Sequence, residues 1–128
     1  MLNHVEGPLC GQVVQYNAYN HSLSVIGPAP SPAEIARLIN LDGDGSVPPL
    51  IFVIALLAGR TTAKYGERGG RFALIEAGQA LQNLALRLVT EGMAGVELGG
   101  LLDDQVLHLL KLDPTAKIAL GLACGHAK

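Results

Sequence analysis

R-T-T-A-K-Y-G-E-R-G-G-R-F-A-L-I-E-A-G-Q-A-L-Q-N, from Arg60 to Asn83, is the stretch on which the reading of this chain turns. Its second part opens a helical pattern running from about Gly70 to Glu91. Leu74, Gly78, Leu81, Ala85 and Leu88 fall on one face, and Phe72, Ile75, Leu84, Leu86 and Val89 fill much of the remainder. Glu76, Gln79, Asn83, Arg87 and Thr90 recur as a narrow polar stripe. A helix of about 22 residues is about 33 Å long, enough to cross a small domain. Length and near all-round apolarity together predict the central helix of the fold, with Gly92 as its stop. The first part, Lys64 to Arg71, is the densest set of ionisable groups and glycines in the chain, and any chemistry is expected there.

Upstream of this stretch, Leu50 to Leu57 is apolar without alternation, which predicts a strand buried on both faces and central in a sheet. Gln12 to Tyr16 and Ser22 to Ile26 alternate on either side of the turn-like Asn17 to His21, which predicts a hairpin. Ser31, Pro32 and Glu34 form a capping-box arrangement that should start a short helix reaching about Leu41. Asn40 to Val47 mimics the opening of a calcium-binding EF-hand loop. Ile51 stands where that loop needs its bidentate Glu, however, and Pro48-Pro49 replaces the exit helix, so an Asp/Gly turn is expected and no metal site. Downstream, Ala94 to Leu98 reads as a short strand, Gly99-Gly100 as a turn and Asp103 as the cap of a helix from Asp104 to Leu110. Ile118 to Cys124 reads as the last strand. Strands and helices intermingle around one sheet, so the fold class is α+β.

The composition narrows the function. The 128 residues suffice for one domain, 1–128, and with 49% apolar residues, 4% aromatic and no Trp its core must be aliphatic. A net charge of -2 and a pI near 6.0 give no general basic field, which argues against nucleic acid as a partner. Cys10 and Cys124 stand far apart without C-x-x-C spacing and are expected to be buried free thiols in a reducing compartment. No basic leader with a hydrophobic region opens the chain. The longest apolar run, Leu50 to Gly59, is half of the about 20 residues that cross a bilayer, so a cytoplasmic protein without membrane contact is expected.

Several residues carry two readings. Lys64 and Tyr65 are either an exposed lysine beside a packing tyrosine, or a base of lowered pKa beside a phenol, suited to proton removal. Arg68 and Arg71 either reach a phosphate or carboxylate by bidentate hydrogen bonds, or pair with Glu67 and Glu76 to fix the start of the helix. Gly99 and Gly100 form either an ordinary strand-to-helix turn or a backbone left bare so that a flat ring can approach.

K-Y-G-x-R-G-x-R-F-x-L-x-E-A-G-x-x-x-Q-N from Lys64 to Asn83, the later L-G-G-x-x-D-D from Leu98 to Asp104 and a terminal strand ending at Gly125 resemble SagB-type dehydrogenases. These are flavoproteins of the nitroreductase superfamily that oxidise thiazolines and oxazolines in ribosomally made peptides. The resemblance runs from about Tyr16 to Gly125 and covers only the later half of a usual member. It implies a nitroreductase-like α+β sheet with a long buried central helix, truncated on the N-terminal side, and FMN as cofactor. It also implies that Lys64 and Tyr65 are the pair that removes the proton as hydride leaves for the flavin, with Gly99 and Gly100 beside the flavin ring. Gln82 and Asn83 match the family's Q-N, and as amides on a buried helix they are expected to meet backbone, a second subunit or the cofactor.

Two departures bear on activity. Gln79 stands where the family usually has His, and Gly70 where it usually has an aromatic residue. Family members hold the flavin phosphate with arginines on an N-terminal helix and with basic residues near the C-terminus, where this chain has only His126 and Lys128. In the family the flavin lies at a dimer interface. The resemblance therefore implies a homo- or hetero-oligomer with a nitroreductase-like chain, either as an FMN-dependent oxidoreductase subunit whose site a second chain completes, acting on a modified peptide, or as a non-catalytic scaffold for a full-length enzyme.

Overall fold

The computed structural model describes residues 5–41 and 46–126. Nine elements follow one another: β1 (Gln12–Asn17), β2 (Ser22–Pro28), α1 (Pro32–Leu38), β3 (Leu50–Leu56), α2 (Ala58–Tyr65), α3 (Arg68–Thr90), β4 (Met93–Leu98), α4 (Asp103–Leu109) and β5 (Lys117–His126). The α+β architecture expected from the sequence is present. The strands form two sheets among the described residues, and not one: the hairpin β1-β2 stands apart from a three-stranded antiparallel sheet of order β3-β5-β4.

The unbroken apolar run of β3 has a simple cause. Ile51 and Val53 face a core built on Val13, Ile35 and Ile39 from the hairpin and α1, while Leu50, Phe52 and Ile54 face a second core of Leu81, Leu88, Leu122 and Cys124 under α3. Both faces of the sheet are covered, so alternation with polar residues would leave polar groups in a core. The position predicted for β3 is nevertheless corrected. It ends the sheet, and the central strand is β5, which pairs with β3 from Leu50↔Cys124 to Leu56↔Lys117 and with β4 from Met93↔His126 to Leu98↔Gly121. Hydrophobic coverage of two faces says nothing about which strand lies alongside.

The hairpin forms as read, with a bulge between Val13 and Val14. Its turn is held by the Tyr19 N–H donating to Asn17 Oδ1 at 2.9 Å, and His21 takes a positive φ of 53°. Helix α1 begins with the predicted capping box: Ser31 Oγ accepts from the Glu34 N–H, and Glu34 accepts from the Ser31 N–H at 3.0 Å. The Ser31 hydroxyl, which donates to the Glu34 carboxylate at 2.7 Å, and then the Ser31 N–H hold that carboxyl below its usual pKa. The helix stops at Leu38, short of Leu41. Arg37 donates to Gln105 and the Leu102 N–H to the Leu38 carbonyl at 2.9 Å, which docks α4 beside α1. Lys111 Nζ donates to the Ile26 carbonyl at 3.0 Å and ties the hairpin to the end of α4. Asp103 does not cap α4. Leu102 takes the cap position without a side-chain bond, and Asp103 and Asp104 lie within the first turn, where their charge complements the helix dipole.

Helix α3 is present over 23 residues, from Arg68 to Thr90, and the chain turns away at Gly92, whose φ is +69°. Its inward stripe differs from the predicted one by a rotation. Gly69, Ala73, Ala77, Leu81 and Leu88 are buried, whereas Leu74 and Gly78 are exposed. The helix turns Ala73 and Ala77 inward, which lets its axis come close and leaves Leu81 and Leu88 to fill the layer. Full burial of a leucine side chain contributes about 1.5–3 kcal/mol. Cys124 is buried in the same layer, its thiol donating to the Leu50 carbonyl at 3.4 Å, and burial pushes the thiol pKa up. Cys10 is exposed, contrary to the expectation of two buried thiols. No helix among the described residues is long and apolar enough to cross a membrane.

Candidate functional site

The sequence A-G-R-T-T-A-K-Y is a weak helix former, with a glycine and two threonines in eight residues, yet it folds as α2. Thr62 Oγ1 donates to the Ala58 carbonyl at 3.0 Å, and the Gly66 N–H closes the last turn on the Thr62 carbonyl at 2.8 Å. Gly66 then reverses the chain at a φ of 60°, a conformation that a side chain would strain. Three residues later Gly69 sits directly against α2: a Cβ there would lie 2.6 Å from the Thr61 carbonyl carbon and the Thr62 nitrogen. Two of the three glycines in K-Y-G-E-R-G-G-R are thus required by the α2-to-α3 corner itself. Gly70 is not. A Cβ there meets nothing within 4 Å, so the space that an aromatic side chain would fill is open.

This corner presents Lys64 and Tyr65 at the end of α2, both exposed. Lys64 Nζ lies 5.0 Å from the centre of the Tyr65 ring, within cation–π range. The Tyr65 ring meets Phe72 edge-on at 5.5 Å and 85°, and the Arg71 guanidinium lies 6.0 Å from the Phe72 ring. Lys64, Tyr65, Phe72 and Arg71 therefore form one row, two rings in edge contact with a cation at each end. Tyr65 keeps 47% of its surface exposed, and among the described residues neither Lys64 Nζ nor the Tyr65 hydroxyl has a hydrogen-bond partner. Both polar ends are available to a ligand.

Arg68 and Arg71 are exposed and make no ion pair among the described residues, so the expected pairing with Glu67 and Glu76 is absent. The ion pair of this helix is Arg87 with Glu91. Gln82 and Asn83 lie on the outer side of α3, exposed and in no need of an internal partner. Asn83 stands 12 residues beyond Arg71, about 18 Å along the helix, and is not part of the Lys64–Tyr65 row.

Gly99 and Gly100 follow β4 and are exposed. A Cβ at Gly99 would meet nothing within 4 Å, and at Gly100 only Asn40 Nδ2 at 3.8 Å, while neither has a positive φ. Packing and backbone conformation leave both positions free to carry side chains, so their bareness leaves an open strip of backbone that a flat ring could approach. Because β3 and β4 are both antiparallel to β5, the turn at Gly99-Gly100 and helix α2 leave the sheet at the same end, from strands on either side of β5. No described hydrogen bond, ion pair or ring contact joins the two segments.

Arg60 and Phe72 were not singled out from the sequence. Arg60 shares a cleft of about 300 Å³ with Tyr16 and Tyr19 of the hairpin, and Phe72 links the two cation-bearing segments. The spacing of Arg60 and Lys64, four apart, could have flagged the first had α2 been foreseen. No group of three or more His, Cys, Asp or Glu among the described residues could hold a metal ion. Asp42 and Asp44 of the EF-hand-like turn, and Lys128 of the tail, lie outside the described residues.

Residues 12–126 match the Nitroreductase family profile. The Methanocaldococcus jannaschii protein MJ1384, whose name places it among nitroreductases, is 33% identical over 67 residues, 52% of this chain and 34% of its own length. Among solved structures, the Escherichia coli microcin synthetase McbBCD complex with truncated pro-MccB17 bound contains a chain that superposes with a TM-score of 0.85 at 22% identity, covering 96% of this chain and 47% of that one. The Vibrio harveyi NADPH:FMN oxidoreductase complexed with NAD+ gives a TM-score of 0.59 at 21% identity over 74% of this chain and 45% of that one. At such identities the likeness is one of fold. The chain spans about a third of the curated relative and less than half of each of these two solved chains. With the profile matched along nearly its whole length and the fold shared, the chain belongs to the nitroreductase family.

Proposed function

We propose that this chain is a subunit of an FMN-dependent oxidoreductase of the SagB type, oxidising azolines to azoles in ribosomally made peptides, with a second chain completing the site. The exposed Lys64–Tyr65 pair, held together at 5.0 Å and braced on Phe72, is the observation that carries this reading. Removing hydrogen from an azoline ring requires a base at the carbon that loses its proton, and the neutral amine of Lys64 beside the Tyr65 phenol can accept that proton. When bound, FMN supplies the acceptor for the departing hydride. Gly99 and Gly100 would offer it open backbone, and Arg68 and Arg71, free of ion pairs, offer charge to a phosphate. The family match and the fold shared with an FMN oxidoreductase and with a microcin synthetase chain support flavin and a peptide substrate.

The test has two arms. Absorbance spectra of the chain alone and of the complex it forms with co-expressed neighbours should show flavin bands in the complex. In that complex Lys64→Ala and Tyr65→Phe should each lower azoline oxidation by about 10²-fold or more, the usual contribution of a positioned acid or base. Unchanged turnover in both variants would remove the catalytic assignment. The outer face of α3, where Leu74, Ile75, Leu86 and Val89 are exposed, favours the second reading, a scaffold that docks on a full-length enzyme. Retained association with unchanged turnover would support it.

A further inference from the structure

The corner between α2 and α3 makes two contacts, one turn apart on each helix. Gly69 lies against Thr61 and Thr62, so close that a Cβ there would come within 2.6 Å of their backbone. Tyr65 follows Thr61 by four residues and Phe72 follows Gly69 by three, which puts both rings on the faces that already meet. The rings touch edge-on, with centroids 5.5 Å apart and planes at 85°, an arrangement that ring quadrupoles favour. Phe72 is half-buried beside the buried Ala73, so its own place is set by the packing of α3.

Tyr65 has no such support of its own. It is the last residue of α2, 47% exposed and followed by a glycine at a φ of 60°, and no hydrogen bond holds its hydroxyl among the described residues. Lys64 has less, because its ammonium ends a flexible four-carbon stem and lies 5.0 Å from the centre of the Tyr65 ring. The contacts therefore run in order: Phe72 holds Tyr65, and Tyr65 holds Lys64. Arg71, 6.0 Å from the Phe72 ring, closes the row at the limit of cation–π range and contributes least.

We propose that Phe72 is a positioning residue for the base: by fixing the Tyr65 ring it restricts where Lys64 Nζ stands. The inference rests on the reading above that Lys64 accepts the proton. A base takes a proton only within hydrogen-bond reach of the atom that gives it up, so each further position open to Nζ lowers the rate. The amine becomes an ammonium on taking the proton, and an ammonium is the form that a ring face attracts. The fixed ring thus limits the wandering of the lysine stem and stabilises the charge that proton removal creates at Nζ.

The test reads the side chains first and the activity second. In NMR spectra of the chain, the Lys64 methylene protons next to Nζ should lie upfield of those of the other lysines, shielded by the Tyr65 ring. Phe72→Leu should return them to the common position, and Phe72→Tyr, which keeps a ring, should not. Phe72→Met answers the same question if the leucine variant does not fold. In the complex, Phe72→Leu should lower kcat by about 2- to 10-fold with KM unchanged, the change in population that an edge-to-face pair controls. On a Lys64→Ala background it should lower kcat no further. Lys64 signals unmoved by Phe72→Leu, or an equal loss of rate with and without Lys64, would overturn the proposal and leave Phe72 a packing residue only. The NMR signals need no flavin, so a complex without flavin or turnover would remove the oxidoreductase reading while those signals still decide whether Phe72 positions Lys64.

Discussion

Ala73, Ala77, Leu81 and Leu88 on one side of α3 are buried, while Leu74, Ile75, Leu86 and Val89 on the other stand at the surface, with Val89 exposed over 70% of its area. Both sides are apolar, and transfer free energy alone would bury the larger residues first. The helix instead turns its alanines inward, because only small side chains let it lie close on β3 and β5, where Leu81 and Leu88 reach Leu122 and Cys124. The outer side is left as a stripe more than half exposed at each of these four residues. One helix thus carries a core face and an exposed apolar face, and the difference lies in side-chain size more than in hydrophobicity.

If that division is right, truncating the two faces must have unequal effects. Leu81→Ala, at a side chain only 1% exposed, should cost about 2–5 kcal/mol in urea unfolding, while Leu86→Ala should stay within about 0.5 kcal/mol and appear as weaker association in light scattering. Equal losses would break the comparison. Gly69→Ala probes the inner face at its start, where a Cβ would lie 2.6 Å from the backbone of Thr61. It should destabilise by about 1–3 kcal/mol, with the earliest loss of hydrogen-exchange protection in α2, since the corner cannot yield without moving that helix. A loss spread evenly over the chain would show that the contact does not hold α2 separately.

The smallest expected effect comes from Cys124, beneath the inner face. Burial raises its thiol pKa above the unfolded value, so the folded state holds this proton more tightly. That contribution is complete below the ordinary thiol pKa of about 8.5 and is lost as pH rises through the raised value. Melting temperature should fall as pH is taken upward through that range, and Cys124→Ala should flatten the fall. An unaltered slope would locate the titration elsewhere. The exposed Cys10 should react with a thiol reagent far sooner than Cys124 in the folded chain.

Some of this molecule was legible as local chemistry. Alternation in Gln12 to Tyr16 and Ser22 to Ile26 led to the hairpin, Ser31, Pro32 and Glu34 to a helix start, and the spacing after Gly70 to α3. Helix α2 was not legible, because A-G-R-T-T-A-K-Y has little intrinsic helix preference and forms where Gly69 lets α3 pack against it. Of the candidate site residues, Lys64 and Tyr65 could be named from their neighbours in sequence. That Tyr65 leans on Phe72, and that Arg68 and Arg71 are left without ion pairs, depends on how the corner closes.

What the sequence by itself determined is the elements other than α2, the aliphatic character of the core and the segment that carries K-Y-G-E-R-G-G-R, because periodicity, capping and turn chemistry act over a few residues. Only the tertiary structure decided which apolar side of α3 faces in, and that among the described residues β5 and not β3 lies at the centre of the sheet. Those outcomes are set by contacts between residues far apart in the chain, where close packing chooses among surfaces that hydrophobicity alone leaves equivalent.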